Sequence, residues 1–141
     1  MWSKIFENLR LNWNSIFNSG KIKFRNSILH SKSNSSNYSG LFKCFDVEFR
    51  DSQIEFICDK ARMSSDPPLH FSKCIFDECN LRIDRAEFWD SAFEKSRVSA
   101  DVLRCFRSSF SSCSLTCTKE LYFMIIDASR LSMEVRGELL I

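Results

Sequence analysis

Cysteine and histidine are the residues of this 141-residue chain that could bind a metal ion or supply a nucleophile. A structural zinc site draws its ligands from Cys and His at short, paired spacings. Cys74 and Cys79 are five residues apart and Cys113 and Cys117 are four apart, and these spacings match no such motif. His70 lies near Cys74, and we expect it to be a solvated residue at a turn. We therefore predict no metal and no cofactor.

Other catalytic arrangements are also poorly represented. The chain has three Gly in all and no glycine-rich phosphate loop. The neighbouring carboxylates Asp77 and Glu78 are expected to be ordinary solvated acids. Cys44, Cys74 and Cys79 are expected to fill small spaces in a core, because a free Cys packs as a small hydrophobic residue. We predict no catalytic residues and a protein that is not an enzyme.

The elements that would position these residues show a period of five. Large apolar residues recur at this spacing, with a small residue two positions before most of them. The runs are Phe71, Phe76 and Leu81; Phe88, Phe93, Val98 and Leu103; and Phe110 and Leu115. A half-buried strand alternates every two residues and a helix face returns about every 3.6. A period of five with two inward positions instead predicts a chain that turns a corner every five residues.

Two breaks in this rhythm predict the circumference of a coil. Leu81 and Phe88 are seven residues apart, and the same break recurs between Leu103 and Phe110. Four sides, one of them lengthened by a bulge, would fill the distance from one break to the next. We therefore predict an all-β solenoid in which equivalent residues stack 22 apart, in columns such as Phe49, Phe71, Phe93 and Leu115.

One segment interrupts the predicted stacking. Asp59 and Asp66 fall where the register requires inward apolar residues, and carboxylates are costly to bury unpaired. Residues 57–68 are therefore predicted to be a loop that leaves the solenoid at a corner.

Three pentamers carry a resemblance to a known family. Cys74-Ile75-Phe76-Asp77-Glu78, Cys79-Asn80-Leu81-Arg82-Ile83 and Cys113-Ser114-Leu115-Thr116-Cys117 resemble the repeats of pentapeptide-repeat proteins, over about residues 42–117. The resemblance implies a right-handed quadrilateral β-helix. It implies no common activity, because one fold can carry many functions.

The best-understood members of that family protect DNA gyrase by mimicking the shape and negative charge of duplex DNA. In this chain, residues 41–141 hold 14 bases and 17 acids, a net charge of only −3. A DNA mimic should present a dense acidic face, so the charge argues against a topoisomerase-binding DNA mimic.

The N-terminal region predicts a different element. Large apolar residues between positions 2 and 17 follow a helical stripe, formed by Trp2, Phe6, Leu9, Trp13 and Ile16. We predict an amphipathic helix over residues 1–19 that caps the solenoid, binds a membrane surface or docks on a protein partner. Residues 20–40, rich in Ser and Asn, are predicted to be a linker or a degenerate first coil.

The repeat domain is assigned to residues 41–117. Beyond Cys117 the rhythm weakens, and residues 118–141 are predicted to be a C-terminal cap or a contact in a homodimer formed through this end. We expect no secretory signal, because charged and polar residues interrupt the apolar residues of the N-terminal segment, and we predict a reducing cytoplasm with free thiols.

Apolar residues at outward positions are the candidate binding residues. On the predicted register these are Trp89, Ile75, Ile83 and Val102, and Trp89 is the natural anchor because Trp often dominates protein interfaces. Trp2, Phe6 and Trp13 are the candidates on the N-terminal helix. No stripe of bases interleaved with aromatic residues is found, so no nucleic-acid partner is expected. The leading hypothesis is a non-catalytic protein-interaction module, and the alternative is a membrane-associated, effector-like protein anchored by residues 2–17.

Overall fold

Short parallel strands form the regular structure of the chain. The computed structural model describes residues 3–8, 10–12, 21–33, 42–58 and 69–140. Its strands are β1 (Ser3–Glu7), β2 (Arg10–Asn12), β3 (Lys21–Arg25), β4 (Ile28–Ser33), β5 (Phe42–Phe45), β6 (Val47–Arg50), β7 (Gln53–Cys58), β8 (Leu69–Ser72), β9 (Ile75–Asp77), β10 (Asn80–Trp89), β11 (Ala92–Glu94), β12 (Arg97–Phe106), β13 (Ser109–Ser111), β14 (Ser114–Met124), β15 (Asp127–Ser129), β16 (Ser132–Val135) and β17 (Glu138–Leu140).

These strands assemble into two parallel sheets. One has seven strands in the order β1-β3-β6-β9-β11-β13-β15. The other has ten and follows β16-β14-β12-β10-β7-β4-β2, with β17 beside β14 and β8 between β10 and β5. Every described strand pair is parallel and joins successive turns of the chain. The predicted all-β solenoid is therefore confirmed.

The coil is shorter than predicted. Phe76 pairs with Phe93, and Phe93 pairs with Phe110. Hydrogen bonds between these turns likewise join positions that are 17 apart in the sequence. The predicted spacing of 22 is wrong, and Phe71 pairs with Phe88 rather than with Phe93.

One turn is longer than its successors because it includes the predicted loop. The ladder places Phe76 beside Phe49, and the chain between them contains the segment predicted to leave the solenoid. Residues 57 and 58 of that loop belong to β7, and residues 59–68 lie outside the described residues. The solenoid therefore tolerates an insertion within a turn while its strands stay in register.

Buried side chains reveal three corners in the shorter turns. Inward residues follow one another at intervals of two along a straight strand, so an interval of three marks a corner. From Phe76 to Phe93, intervals of three follow Phe76, Ile83 and Phe88. Two sides therefore have five residues and one has seven. This arrangement replaces the predicted four-sided cross-section, because a turn with three corners provides no fourth side.

The three sides are numbered from the residues of one turn, residues 74–90. Side 1 is residues 74–78 and their equivalents in other turns, and contains β9, β11 and β13. Side 2 is residues 79–85 and contains the first part of β10. Side 3 is residues 86–90 and contains the last part of β10. Two sides of five residues explain why the sequence shows a five-residue rhythm, and the seven-residue side explains its break.

Corners form without glycine. Glu78 and Asp90 stand at two corners of one turn with φ of 53° and 50°, in the left-handed region. The N–H of Glu78 donates to the carbonyl oxygen of Glu94, one turn further on, at 2.9 Å. The third corner falls at Asp84, where the ladder between β10 and β12 skips one pair. Because bonds to the next turn hold these corners, the chain folds with only three Gly.

Stacked phenylalanine rings fill the centre of the solenoid. The main column rises through side 1, with ring centroids 4.7–5.4 Å apart and planes within 10° of parallel; it contains Phe24, Phe49, Phe76, Phe93 and Phe110. On side 3, Phe71 stacks on Phe88 at 4.8 Å. The two columns meet edge to face, as between Phe76 and Phe88 at 5.6 Å and 82°. Both arrangements are favourable for aromatic pairs.

The small inward residues after the corners have a hydrogen-bonding role. Ser96 donates from Oγ to the carbonyl oxygen of Glu94 at 2.9 Å. Its Oγ also accepts a hydrogen bond from the backbone N–H of Cys79 at 3.1 Å. Buried hydroxyls occupy the same kind of position at Ser27, Ser52, Ser91 and Ser108. The sequence rhythm identified these positions as small, and the structure shows that their hydroxyls satisfy buried backbone groups.

The prediction of an N-terminal helix is wrong for the described residues of this segment, which form strands. Strands β1 and β2 replace it and pair with β3 and β4. Phe6 shares a register with Phe24, and Leu11 shares one with Leu29, so this segment carries the five-residue rhythm of the next turn. Pairing satisfies the backbone groups of the β3 and β4 edge, which a surface helix would leave open. Among the described residues, no helix is long and apolar enough to cross a membrane.

The other terminal segments also continue the ladder. Residues 21–33 form β3 and β4, which fits the predicted coil and not the predicted linker, and residues 20 and 34–40 lie outside the described part. The ladder continues through β17, so no separately folded cap is seen over residues 118–140. In this last described turn, Met133 and Leu139 occupy inward positions but are exposed, because no further described turn covers them.

Candidate functional site

Side 3 carries a column of aromatic side chains on its outer surface. Trp89 and Phe106 stack at 4.2 Å between ring centroids with planes 16° apart. Phe106 is followed by Tyr122 at 5.6 Å, and His70 lies 6.4 Å from Trp89 on the other side. All four side chains are half-buried. The column therefore spans four successive turns of the solenoid.

Strand register produces this column. In β10 the inward residues of side 3 are Ala86 and Phe88, so Glu87 and Trp89 point outward. The ladder then places Phe106 beside Trp89, and Met124 beside Phe106. Since each turn adds a residue to the same outer surface, the ladder converts residues that are distant in the sequence into a continuous column.

Charged groups surround the column in pairs. The indole N–H of Trp89 donates to Glu87, whose carboxylate lies 3.6 Å from Nδ1 of His70. Arg107 lies over the Trp89 ring at 5.6 Å and contacts Asp90 at 3.1 Å. A cation over a Trp face is attracted by the ring quadrupole. Trp89 is thus held by groups of its own chain on several sides.

A second charged pair joins Arg104 on side 3 to Glu120 at the adjoining end of side 2. Nε of Arg104 is 3.4 Å from Oε1 of Glu120. Both side chains are about 30% exposed, at 29% and 30%, so the pair is only partly screened by water. The charges of side 3 are therefore mixed in sign and matched within the chain.

The surface becomes apolar toward the last turns. Met124, Ile125 and Leu140 are exposed by 45%, 75% and 40%. Leu140 is next to Tyr122 in the ladder between β14 and β17, and Ile125 is the corner residue that follows Met124. Side chains of this size are usually covered in a soluble fold, so the end of side 3 presents an apolar area that is open to a partner.

The residues predicted for binding fall into different places. Trp89 lies on side 3, as described above, and Ile75 is 46% exposed but lies on side 1. Ile83 is 3% exposed and packs in the core, so its predicted outward position is wrong. Val102 lies beside Arg85 at a corner, outside the core cluster, but is only 8% exposed. The seven-residue side has three inward positions, and Ile83 fills the third of them. The structure does not bring Ile75 and Trp89 together.

The N-terminal candidates remain untested. The backbone of Phe6 lies in β1, and Trp2 and Trp13 lie outside the described residues.

Sequence reasoning missed the other apolar residues of the candidate surface, which are Phe106, Tyr122, Met124, Ile125 and Leu140. The signal was present in the sequence, because Phe106 follows Trp89 by the length of one turn. The predicted register paired Trp89 with Ser111 instead, so the neighbouring aromatic residue was not recognised.

Burial lowers the reactivity of individual thiols in the described part of the chain. Cys74, Cys79, Cys105, Cys113 and Cys117 are buried and free. Burial raises the pKa of the Cys79 thiol to about 12, and burial also raises the pKa of the Cys105 thiol. The thiolate is the reactive form, so Cys79 and Cys105 are poor nucleophiles.

Carboxylates are paired on side 1 without forming a metal site. A hydrogen bond with Asp51 raises the pKa of Glu78, and Lys95 lies 4.0 Å away. In the part of the chain that the structure describes, no group of three or more His, Cys, Asp or Glu side chains could hold a metal ion.

Comparison with known proteins leaves the family of the chain open. No protein-family model matches it. No curated protein matches it either. Two solved structures of trypsin-treated QnrB1, a plasmid-mediated fluoroquinolone resistance protein, align with 94% of this chain and 92% of that chain. They are 11% and 10% identical, with TM-scores of 0.22 and 0.24. Superpositions this loose support no argument, and the solenoid assignment rests on the strand ladders.

Proposed function

We propose that the chain is a non-catalytic protein-interaction module that binds its partner through side 3. The observation that carries this proposal is the outer aromatic column of Trp89, Phe106 and Tyr122, which ends in exposed Met124 and Ile125. Protein interfaces are enriched in Trp, Tyr, Phe, Met and Arg, and a few such residues dominate their binding energy. Side 3 combines these residue types on one flat face.

Rigidity supports the same function. Trp89 is held by Phe106, Glu87 and Arg107, so little side-chain entropy remains to be lost when a partner binds. The matched charges of this side, such as Arg104 with Glu120, would favour a protein over a polyanion. A DNA-mimic function is not supported here, because Arg104 and Arg107 lie on the candidate surface.

Two five-residue sides support a relationship to pentapeptide-repeat proteins, and the seven-residue side is a departure from their four-sided coil. A right-handed winding remains a prediction from that resemblance. The membrane alternative depended on a helix over residues 2–17, where the described residues form strands. Five buried free thiols are consistent with a reducing cytoplasm.

A quantitative capture experiment tests the proposal. The purified, tagged chain is compared with a Phe106→Ser, Tyr122→Ser variant of side 3 and with a matched Ser99→Asp, Thr116→Asp variant of side 2. All four positions are outward, so each variant should retain the β-sheet circular-dichroism spectrum. We expect the side 3 variant to capture at least tenfold less specifically bound protein than wild type. The side 2 variant should capture as much as wild type. Equal capture by both variants would refute side 3 as the binding surface.

A further inference from the structure

Side 2 carries two arginines without an acidic partner. Arg82 in β10 and Arg97 in β12 are exposed, and neither side chain forms an ion pair or a hydrogen bond among the described residues. Lys73 and Arg130 are also unpaired there, but each stands alone at a corner. Most other described bases pair with an acid: Arg25 with Glu7, Arg50 with Glu48, Lys95 with Glu78, Arg104 with Glu120, Arg107 with Asp90, Lys119 with Asp101 and Arg136 with Glu134.

The strand ladder places the two arginines diagonally on one flat face. Asn80 pairs with Arg97, and Arg82 pairs with Ser99. All four side chains are exposed, because buried residues alternate with them along both strands. These four residues form the side 2 square. The two arginines lie across its diagonal, with Cα atoms roughly 8 Å apart from strand rise and spacing.

Every side chain of the square can donate hydrogen bonds. Each guanidinium is a planar fork of N–H donors that stays charged, the amide of Asn80 has two donor hydrogens and Ser99 has a hydroxyl. The square contains no carboxylate. Guanidinium forks bind carboxylate and phosphate oxygens through two parallel hydrogen bonds. The arrangement therefore suits an oxyanion that both arginines reach at once.

The border of the square contributes one unmatched acid. Glu55 is the ladder neighbour of Arg82, on the side away from β12. The neighbours in β14 are Ser114 and Thr116, and neither is charged. Two arginines against Glu55 leave the region with a net positive charge. The other charges on the border occur as a base with an acid: Lys95 with Glu78, Lys119 with Asp101, and Arg85 beside Asp84.

Acids beyond the border have little influence on the square. Asp51 lies at the corner before β7, and Glu138 lies in β17. Both are more than about 10 Å from either arginine, from strand rise and spacing. Salt screens exposed charges at such distances. The positive potential at the square is therefore set by Arg82, Arg97 and Glu55.

Two features of the square favour a phosphate group carried by a protein segment. A phosphate monoester has about two negative charges and three acceptor oxygens, so it can engage both arginines. A carboxylate is matched by a single guanidinium fork. The face is open, whereas sites for small molecules are concave. Clusters of arginine instead recognise phosphorylated side chains of protein segments.

We infer that the side 2 square binds a phosphorylated Ser or Thr side chain of a protein partner that lies across β10 and β12. Arg82 and Arg97 share the phosphate oxygens, and Asn80 and Ser99 complete the contact. The square lies on a different face from side 3, so the inference goes beyond the proposed function. Binding on this face depends on phosphorylation of the partner.

A peptide titration of the purified, full chain tests the inference. The probe is a short Gly/Ser peptide with one phosphoserine, followed through the NMR signals of the arginine Nε–H groups. We expect shifts confined to Arg82 and Arg97 and a dissociation constant on the order of 1 mM, because exposed ion pairs contribute little each. The unphosphorylated peptide should cause no shifts. Absence of shifts at both arginines, or equal binding of a peptide with Glu in place of phosphoserine, overturns the inference. Inorganic phosphate that binds as tightly as the phosphopeptide overturns the assignment to a protein segment.

Substitutions of single charges locate the phosphate. Arg82→Gln and Arg97→Gln should each weaken binding of the phosphoserine peptide about fivefold. Glu55→Gln removes the neighbouring acid and should strengthen binding about twofold. The matched control is Arg50→Gln, which removes an arginine from side 1 and should leave binding unchanged. If Arg50→Gln weakens binding as much as Arg82→Gln does, the attraction is non-specific and the inference is overturned.

The two faces are separated by the variants already chosen for side 3 and side 2. Ser99→Asp, Thr116→Asp places carboxylates beside the arginines and should abolish binding of the phosphoserine peptide. This variant should still capture protein through side 3, because a contact of about 1 mM does not hold a protein on a resin. Phe106→Ser, Tyr122→Ser should bind the peptide like wild type. Peptide binding that persists in Ser99→Asp, Thr116→Asp overturns the inference and leaves the proposed function of side 3 in place.

Discussion

Two adjacent turns pack the same interior in opposite ways. On side 3 of β10 the inward residues are Ala86 and Phe88, small then large; on side 3 of β12 they are Leu103 and Cys105, large then small. The ladder aligns Ala86 with Leu103 and Phe88 with Cys105. All four side chains are fully buried. The interior therefore specifies the total volume of each turn more strictly than the residue at each position.

This exchange also explains the error in register. Leu103 lies five residues after Val98 and fits the five-residue spacing, whereas Cys105 is the structural equivalent of Phe88. Taking Leu103 as the column residue delays the break in the rhythm and lengthens the turn by one whole side. Once the exchange is recognised, the break of seven lies between Val98 and Cys105, as it does between Leu81 and Phe88, and the shorter turn follows.

Truncating Phe88, the large residue of the Ala86 and Phe88 pair, should have the largest effect on the free energy of unfolding. Phe88 stacks on Phe71 and meets Phe76 and Phe93 edge-on. Phe88→Ala should lower the free energy of unfolding by about 3–5 kcal/mol, because it leaves a cavity in the aromatic core. Cys105→Ala, at the aligned position, should cost about 1 kcal/mol. Urea unfolding of both variants measures the difference, and equal costs would contradict the proposed alignment.

Introducing the large-then-small order of Leu103 and Cys105 at positions 86 and 88 tests whether the total side-chain volume of a turn is conserved. Phe88→Cys alone should destabilise the protein, and adding Ala86→Leu should recover about 1–3 kcal/mol of that loss. The double variant reproduces the arrangement of Leu103 and Cys105 in the neighbouring turn. A double-mutant cycle from urea unfolding measures the coupling. Additive effects of the two changes would show that the positions are packed independently.

The inward serines should matter less than the aromatic residues but more than surface serines. Ser96→Ala removes the acceptor for the buried N–H of Cys79 and should cost about 1–3 kcal/mol. Ser99 is outward and exposed, and Ser99→Ala should stay within about 0.5 kcal/mol. Thermal unfolding of the two variants compares them. If Ser96→Ala lowers the free energy of unfolding as little as Ser99→Ala does, the buried hydroxyls do not stabilise the corners.

Alkaline pH should lower the stability of the fold progressively, because a buried thiol loses its proton less readily than the same thiol in the unfolded chain. The folded pKa of Cys79, about 12, exceeds the value of about 8.5 expected for the unfolded chain. The unfolded state therefore loses its proton first, and the stability present below about pH 8.5 should decline as the pH rises toward the folded pKa. Cys79→Ser, which introduces the residue found at the equivalent Ser52 and Ser96, should flatten this decline. Denaturant midpoints between pH 8 and 10.5 provide the measurement, and identical slopes would contradict the burial of this thiol.

Sequence reasoning captured the local rhythm better than the long-range register. The five-residue spacing placed Phe71, Phe76 and Phe93 in the core, and all are buried. The circumference depended on one pair of residues that exchange size, which a single sequence does not reveal. The N-terminal segment failed for a related reason, since Phe6 and Leu11 fit both a helical stripe and a five-residue rhythm, and pairing with the next turn decides between them.

The error in register also affected the prediction of the binding surface. Trp89 was identified as an anchor from its residue type, but its neighbours follow from the register. In the predicted register Trp89 stands alone, and in the observed register it belongs to a column that continues through Phe106 to Tyr122. Ile125 was missed for the same reason, because its corner position becomes visible only when the turns are aligned.

The length of the turn is tested most directly by removing one turn. Deleting residues 92–108 joins Ser91 to Ser109 and should leave a shorter solenoid in register, with Phe76 directly beside Phe110. Deleting residues 92–113 removes one turn of the rejected register and should move the inward residues after Leu115, such as Cys117 and Leu121, to outward positions. Far-UV circular dichroism with urea unfolding compares the two proteins. We predict a β-rich, cooperatively unfolding chain for the shorter deletion and an unfolded or aggregated chain for the longer one. A folded protein after the longer deletion, beside an unfolded one after the shorter deletion, would contradict the account.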